Sequence, residues 1–304
     1  MKSYALEMAF IVGDVWVISL PSEHHDSNGA FPMQLLLSQS EKPSRLFVPA
    51  IASLIAKLNM IEMPLPKYPQ YIPLVHSWLQ KYRSNGGDSL NLVKTAVAAD
   101  VSFPDVLTVD ELEKEIEEIE RFLNLQKSPS VFCHQDTVSS NILLRDVVDE
   151  VFDGNGVVDA KRLLIIDFEF GCYNHRAFEI ANHIAEYGVT YGTLNPPYYE
   201  VDVETMEDEN LAISFCNAYL DQIYRDHVTA AQLERQLLTG RRKEDLKLLM
   251  CEYRRFLPLP HFFWGVWNIL CNQELGMVEG IDFLTHAKDR LIMYYMFKSN
   301  MYKY

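Results

Sequence analysis

The sequence predicts an α+β protein in which a small β-rich N-terminal part precedes a large, mainly helical part. Three observations support this prediction. β-branched and aromatic residues dominate FIVGDVWVISL near the start, helical periodicity begins near residue 46, and the short apolar run RLLIIDFEF interrupts the helical pattern at 162–170. The chain has 304 residues, of which 48% are hydrophobic, so it can bury a substantial core as one domain or two unequal lobes.

The N-terminal part contains two short apolar segments. Residues 4–20 carry the first segment, the turn-forming SEHHDSNG follows, and FPMQLLL forms the second. We therefore expect short strands with a loop at 21–29.

Helices are predicted from residue 46 onward. In RLFVPAIASLIAKLNMIEM, apolar residues recur at i, i+3, i+4 and i+7: Ile51, Leu54, Ile55 and Leu58. The proline-rich MPLPKYPQYIP ends this helix, and VHSWLQKYR resumes helical character.

Another helix is predicted at 108–126. It begins at TVDE, where Thr108 and Glu111 have the spacing of a capping box. Its apolar stripe consists of Leu112, Ile116, Ile119 and Leu123. After residue 210 the pattern is mostly helical to the end, whereas 162–170 has the pattern of a buried strand that ends in carboxylates.

Charge and cysteine content exclude several classes of protein. The formal net charge of -15 argues against nucleic acid as the main partner, because phosphate binding requires a basic face. The five cysteines are widely spaced without a C-x-x-C pair, which favours reduced thiols over a disulfide framework or a zinc site. No stretch reaches the roughly 20 apolar residues of a membrane span, and no signal-peptide pattern is found, so we expect a cytoplasmic protein.

Four polar residues have the chemistry that phosphoryl transfer from a nucleotide requires: His134, Asp136, Asn141 and Asp167. One carboxylate can accept the proton of the attacking hydroxyl, while an Asn and a second carboxylate can hold Mg²⁺ against the phosphates. A second interpretation explains the first three equally well, namely that His134 and Asp136 make turn hydrogen bonds and Asn141 caps a helix.

The segment around Asp167 favours the functional interpretation. Asp167 follows an apolar strand, where a carboxylate is costly unless it has a partner such as a metal ion. Glu169 follows in the same strand-end position and alternates with Phe168 and Phe170. Two separate segments thus meet the requirements of one mechanism.

These residues also carry a family resemblance. CHQDTVSSNILL, followed by LLIIDFEFGCYNHRAFEIANHIAEY, resembles the paired signatures of the choline/ethanolamine kinase family, and HFFWGVWNIL at 261–270 is similar to its C-terminal block. The resemblance runs from about residue 30 to the end. It implies a protein-kinase-like fold, related to the aminoglycoside phosphotransferases, with a reduced β-rich N-terminal lobe and a large, mainly helical C-terminal lobe.

The resemblance assigns a role to each matching residue. It implies that Asp136 is the catalytic base, that Asn141 and Asp167 hold Mg²⁺, and that Glu169 assists the metal site. His134 fixes the catalytic loop, and ATP is the phosphate donor. Arg176 and Glu179, in NHRAFEI, are implied to be structural.

An aromatic pocket is implied for the amine. A quaternary ammonium donates no ordinary hydrogen bonds, so aromatic faces and a nearby carboxylate recognise it. The matching residues are Glu186, Tyr187, Tyr191, Trp264, Trp267 and Phe283. Taken alone, two tryptophans at i, i+3 on a helix are more often explained by core packing.

The N-terminal lobe departs from the family pattern. We expect a truncated nucleotide lobe and hinge at 1–40 and the helical lobe at 41–304, with Gln34, Leu35 and Leu36 at the adenine hinge. The stretch has no convincing glycine-rich loop, and Lys2 is the only lysine before residue 42. Asn59 also stands where the family often has a His.

The leading hypothesis is therefore an enzyme that transfers the γ-phosphoryl group of ATP to the hydroxyl of choline or ethanolamine for phospholipid synthesis. One alternative is a catalytically impaired homologue that binds the amine or regulates a partner. Another is a kinase for a different small amine, such as an aminoglycoside. Many relatives dimerise, so the resemblance is compatible with a homodimer.

Overall fold

The computed structural model describes residues 10–12, 15–17, 31–32, 43–92, 97, 102–144, 158, 160–226, 229–276, 278 and 280–304. Most of the lobe expected at 1–40, with the hinge residues Gln34, Leu35 and Leu36, lies outside these residues. The lobe boundary stays a prediction.

The elements of the described residues follow in chain order. The strands are β1 (Phe10–Val12), β2 (Val15–Val17), β3 (Phe31–Pro32), β4 (Ser89–Asn91), β5 (Val106–Thr108), β6 (Ser130–Cys133), β7 (Ile142–Leu144), β8 (Leu163–Ile165), β9 (Cys172–His175), β10 (Val189–Tyr191) and β11 (Tyr199–Val201). The helices are α1 (Pro43–Asn59), α2 (Tyr71–Ser84), α3 (Val109–Asn124), α4 (Arg176–Glu186), α5 (Val203–Met206), α6 (Glu209–Arg225), α7 (Ala230–Arg235), α8 (Arg242–Phe256), α9 (Pro258–Leu275), α10 (Phe283–Phe297) and α11 (Asn300–Lys303). Single 3₁₀ turns cover Ser139–Asn141 and Ala160–Arg162.

The chain forms two compact units, each built from three separate stretches. The first unit comprises 1–66, 131–172 and 209–246, and the second comprises 67–130, 173–208 and 247–304. None of the described helices is long and apolar enough to cross a membrane.

In the first unit, α1 packs against α6. The helix predicted from residue 46 is confirmed, and Ile51, Ile55 and Leu58 of its apolar stripe are buried. Asn59, the last residue of α1, joins two other segments. Its amide donates to the Phe132 carbonyl (2.9 Å), and its oxygen accepts from the Tyr219 hydroxyl (2.9 Å).

A three-stranded sheet of the first unit has the strand order β3-β7-β8, and both pairs are antiparallel. Ile142 lies opposite Ile165 in the β7–β8 pair. The strand predicted over 162–170 is wrong in its length, because β8 ends at Ile165. Asp167 has φ of 65°, a left-handed conformation that an extended strand excludes.

In the second unit, the predicted capping box is confirmed at the start of α3. The Thr108 hydroxyl accepts from the Glu111 N–H (3.2 Å), and the Thr108 N–H donates to the Glu111 carboxylate (2.8 Å). The hydrogen bonds that the Thr108 N–H and the Thr108 hydroxyl donate to the carboxylate lower the pKa of Glu111. The apolar stripe predicted for this helix is buried: Leu112, Ile116, Ile119 and Leu123.

Helices α9 and α10 form the centre of the second unit, and α9 also packs against α2 and α4. Gly265 permits the close approach of α9 to α10, because a Cβ atom there would lie 2.8 Å from Leu291 Cγ. A buried ion pair joins α4 to α8. The Arg176 guanidinium donates to both Glu252 carboxylate oxygens, at 3.0 and 2.8 Å.

Candidate active site

The signature residues of the first unit lie in a loop between β6 and β7. His134 follows β6 and is fully buried. Its Nδ1 accepts from the Asp136 N–H (3.2 Å), so the proton is on Nε2, which donates to the Ile166 carbonyl (2.9 Å). Burial lowers the pKa of His134 to about 4, so the imidazole is neutral at pH 7. His134 therefore fixes the loop rather than exchanging protons.

Asn141 fixes the orientation of Asp136. Its Nδ2 donates to the Asp136 carbonyl (2.9 Å) and to the Asp136 carboxylate (2.8 Å). Both donors of the amide are thereby used, and its oxygen is the atom left to act as a ligand. The alternative that Asn141 caps a helix is wrong, since this residue ends a 3₁₀ turn and its amide holds the carboxylate.

The β7–β8 pair places the second carboxylate beside this loop. Asn141 directly precedes β7, and its carbonyl accepts from the Ile166 N–H (3.0 Å) at the end of β8. Asp167 is the next residue along the chain. Asp136, Asn141 and Asp167 therefore lie at the same end of one antiparallel strand pair.

Two residues at this end have left-handed backbone conformations. Gln135 has φ of 69° and Asp167 has φ of 65°, conformations that cost of order 1–3 kcal/mol outside glycine. The Gln135 amide is anchored by donating to the Phe170 carbonyl (2.6 Å). The Phe168 ring packs against His134, with ring centroids 4.6 Å apart. Such over-determined strain is typical of functional loops.

The carboxylates of the second segment are more exposed than the sequence predicts. Asp167 and Glu169 are both exposed, so the argument that burial demands a metal partner at Asp167 is wrong. Glu169 lies in a turn after β8 rather than in a strand. Partial desolvation and the nearby charge of Asp167 raise the pKa of Glu169.

The donor set fits Mg²⁺. Among the residues that the structure describes, no group of three or more His, Cys, Asp or Glu side chains could hold a metal ion by itself. Mg²⁺ does not require such a cage, because it is usually held by one or two carboxylates, substrate phosphates and water. Asn141 and Asp167 would supply those oxygen ligands, with Glu169 close by. Their roles as ligands stay predictions.

The predicted aromatic residues of the second unit form a connected group. The rings of Trp264 and Trp267 are 5.5 Å apart, and those of Trp267 and Phe283 are 6.0 Å apart, with edge-to-face geometry in both pairs. Trp264 is buried and its indole N–H donates to the Asn182 side chain (2.9 Å). Trp267 is half-buried, so it is the tryptophan with ring surface left for a ligand.

Glu186 and Tyr191 lie in a polar cluster that the sequence predicts only in part. The Tyr191 hydroxyl donates to Glu186 (2.9 Å), and Arg290 forms an ion pair with the same carboxylate (2.6 Å). His286 accepts from the Arg290 Nε (3.1 Å). Arg290 and His286 were missed; their helical spacing from Phe283 (i+7 and i+3) was the available signal.

Tyr187 and Glu179 occupy other environments. The Tyr187 hydroxyl is buried, and desolvation raises its pKa. Its ring lies edge-on to His183, with centroids 5.1 Å apart. Glu179 is fully buried in the first turn of α4, next to the paired Arg176 of the α4–α8 ion pair. These positions support structural roles for Arg176 and Glu179, whereas contact between Tyr187 and an amine stays a prediction.

The fold is protein-kinase-like. A choline kinase from Cryptosporidium parvum has a similar structure, with a TM-score of 0.59 and 19% identity over 93% of this chain and 72% of that one. An ethanolamine kinase from Plasmodium vivax has a TM-score of 0.57 and 21% identity over 84% and 61% of the two chains. These likenesses confirm the predicted fold class.

Sequence comparison defines the family within this fold. The model of the family described as Choline/ethanolamine kinase matches residues 36–295. Choline kinase A2 of Caenorhabditis elegans is 31% identical over 264 residues, which cover 82% of this chain and 58% of that protein. The chain belongs to the choline/ethanolamine kinase family, as its signatures predict. It spans between 49% and 62% of the length of three curated relatives that it matches.

Proposed function

We propose that this protein transfers the γ-phosphoryl group of ATP to the hydroxyl of choline or ethanolamine, which produces the phosphorylated amine used in phospholipid synthesis. The observation that carries the proposal is the double hydrogen bond from Asn141 to Asp136. It orients a half-buried carboxylate at the strand end where a second carboxylate, Asp167, emerges. Positioning and electrostatics supply most of the catalysis in phosphoryl transfer, so a pre-oriented carboxylate is the required part.

In this proposal Asp136 accepts the proton of the attacking hydroxyl. Asn141 holds the Asp136 carboxylate in place, and neutral His134 holds the loop by its bond to the Ile166 carbonyl. Mg²⁺ bound by Asn141 and Asp167 would neutralise charge on the nucleotide phosphates. Trp267 and Phe283 contact the ammonium group through their rings.

The compartment and assembly are part of the proposal. All five cysteines are free, which suits a reducing compartment such as the cytoplasm. A homodimer is the assembly that we expect, and size-exclusion chromatography with light scattering tests it.

A coupled assay of ADP release tests the function. The wild-type protein should release ADP with Mg·ATP and choline or ethanolamine, and release should stop when Mg²⁺ is chelated. Asp167→Asn should raise the Mg²⁺ concentration for half-maximal rate by about 10-fold or more, because a charged oxygen ligand is lost. Glu169→Gln is the matched variant with the smaller expected effect.

The alternatives predict different results in the same assay. Faster ADP release with an aminoglycoside than with choline or ethanolamine would show that the phosphoryl acceptor is an aminoglycoside. Amine binding by calorimetry without ADP release from any acceptor would contradict catalysis and favour a binding or regulatory homologue.

A further inference from the structure

Arg290 is buried beside two residues of the predicted amine pocket. It lies in α10 and is 1% exposed. Its Nη2 donates to Glu186 Oε1 (2.6 Å) and also to the Tyr191 hydroxyl (2.8 Å). The Tyr191 hydroxyl in turn donates to Glu186 Oε2 (2.9 Å). These three side chains form a closed ring of hydrogen bonds in which both carboxylate oxygens have accepted a donor.

His286 fixes the orientation of the guanidinium. The Arg290 Nε donates to His286 Nε2 at 3.1 Å, which requires a lone pair on that nitrogen and places the imidazole proton on Nδ1. Desolvation and the charge of Arg290 lower the pKa of His286 well below its usual range, so this ring stays neutral. The cluster of Glu186, Tyr191, His286 and Arg290 therefore contains one negative and one positive charge.

This cluster and the aromatic group share two helix faces. On α10, Phe283, His286 and Arg290 follow one another at i, i+3 and i+7. On α4, Asn182 and Glu186 are one turn apart, and Asn182 accepts from the Trp264 indole (2.9 Å). The ion pair thus lies on the same faces of α4 and α10 as Asn182 and Phe283 of the aromatic side.

The arrangement favours one class of amine. A primary ammonium has three N–H donors and loses free energy on burial unless acceptors meet them. In the cluster, the charge of Glu186 is compensated by Arg290 and its oxygens already accept two hydrogen bonds. Phe283 has no hydroxyl, and the Asn182 side-chain oxygen already accepts from the Trp264 indole N–H. A trimethylammonium has no N–H donors, so it needs no free acceptor and is attracted to the ring faces.

We propose that Arg290 is a positioning residue that occupies Glu186 and thereby makes the site select a quaternary ammonium alcohol over a primary one. This inference rests on the proposed function for its amine substrate. It predicts that kcat/KM for choline exceeds that for ethanolamine by at least 10-fold in the wild-type protein. Calorimetry without ATP should show the same order of affinity.

Variants of the ion pair test the role of Arg290. Arg290→Met frees the Glu186 carboxylate to pair with a primary ammonium, so the choline-to-ethanolamine ratio of kcat/KM should fall at least fivefold. The double variant Glu186→Gln with Arg290→Met has no carboxylate to free, so its ratio should return toward the wild-type value. Thermal melts establish that each variant is folded.

The matched control is Arg176→Met. Arg176 is equally buried and forms a bidentate pair with Glu252. Glu252 is not a member of the cluster that contains Glu186 and Arg290, which we call the amine-side cluster. The Arg176→Met substitution should lower the melting temperature while leaving the choline-to-ethanolamine ratio of kcat/KM within twofold of wild type. A merely structural role of Arg290 predicts the same outcome for both arginine variants.

Each remaining outcome is decisive. A wild-type protein that turns over ethanolamine as well as choline overturns the inference but leaves the proposed function intact. A folded Arg290→Met with an unchanged ratio does the same. If this variant fails to fold, the choline-to-ethanolamine ratio of kcat/KM in the wild-type protein and the calorimetric affinities decide. If choline binds more tightly than ethanolamine but neither is turned over, the proposed function is wrong and the proposed selectivity is supported. If neither amine binds, both proposals are wrong.

Discussion

The catalytic loop and the amine-side cluster are held by contacts of very different sequence separation. In the loop, Asp136 is bonded to residues two and five positions away, His134 and Asn141. In the cluster of Glu186, Tyr191, His286 and Arg290, Arg290 reaches Glu186 across 104 residues, and in the aromatic group Trp264 reaches Asn182 across 82. The Asp136 carboxylate is oriented from within its own segment, and the loop is also bonded to Ile166 and Phe170. The cluster and the aromatic group, by contrast, form only when α4, α9 and α10 are packed. We therefore expect loop substitutions to lower turnover and cluster substitutions to change affinity and stability together.

The largest effect is expected at Asp136. Asp136→Asn removes the proposed proton acceptor, so kcat should fall by about 10²- to 10⁴-fold, the usual contribution of a general base. The melting temperature should stay within about 2 °C, since the side chain keeps its size and Asn141 still holds the carbonyl at this position. Asp105→Asn, at an exposed acid, is the charge-matched control. A kcat above a tenth of wild type would place the base elsewhere.

Two buried asparagines sharpen the contrast between the regions. Asn141→Ala removes both donors to Asp136 and a predicted metal ligand, so kcat should fall about 10- to 100-fold and the Mg²⁺ requirement should rise.

Asn182→Ala leaves the Trp264 N–H without this acceptor and should cost about 1–3 kcal/mol of stability. The amine KM should rise while kcat changes little. Steady-state kinetics gives kcat and KM for each variant, and urea unfolding gives its free energy of unfolding. If the two variants changed these quantities in the same way, the proposed difference between the two regions would be wrong.

Acid stability provides a third comparison. Burial holds the pKa of His134 at about 4, whereas an unfolded His titrates near 6.5. Between these values the unfolded chain binds a proton that the native chain excludes, so stability falls as pH decreases from 6.5 towards 4. This group should contribute about 2 kcal/mol to the loss between pH 7 and pH 5.

His134→Gln tests this linkage. The free energy of unfolding in urea should depend less on pH in the variant, by about the same 2 kcal/mol. Desolvation also lowers the pKa values of His175, His261 and His286 in the second unit, so a residual slope of the same sign should persist. An unaltered slope would show that His134 is accessible to protons in the native protein.

The smallest expected effect separates the two tryptophans. Trp267→Leu should raise the choline KM about 5- to 10-fold, corresponding to a cation–π contribution of about 1 kcal/mol, and leave the Mg·ATP KM within twofold. Trp264→Leu should instead lower stability by about 2–4 kcal/mol, because it removes a buried ring and the bond to Asn182. Equal changes in the choline KM would show that both rings contribute only through packing.

The same contrast explains what the sequence could predict. The capping box of α3 is local, so spacing alone predicted it. His134, Asp136 and Asn141 are equally close in sequence, but their spacing marked them only as candidates, and their roles came from Asp167 and the family resemblance. The length of β8 was overestimated, because an apolar run does not reveal the left-handed φ of Asp167. The aromatic residues came from a family resemblance. Arg290 was missed: its helical spacing from Phe283 places it on one helix face, but its pairing with Glu186 across 104 residues is set by helix packing and cannot be read from that spacing.

³¹P NMR of the wild-type protein incubated with Mg·ATP and choline follows the proposed transfer itself. We expect the γ-phosphate resonance to decay as phosphocholine and ADP appear in equal amounts, and we expect Asp136→Asn to suppress this transfer. Intact ATP, or ADP with inorganic phosphate in place of phosphocholine, would contradict the proposed transfer to the amine alcohol.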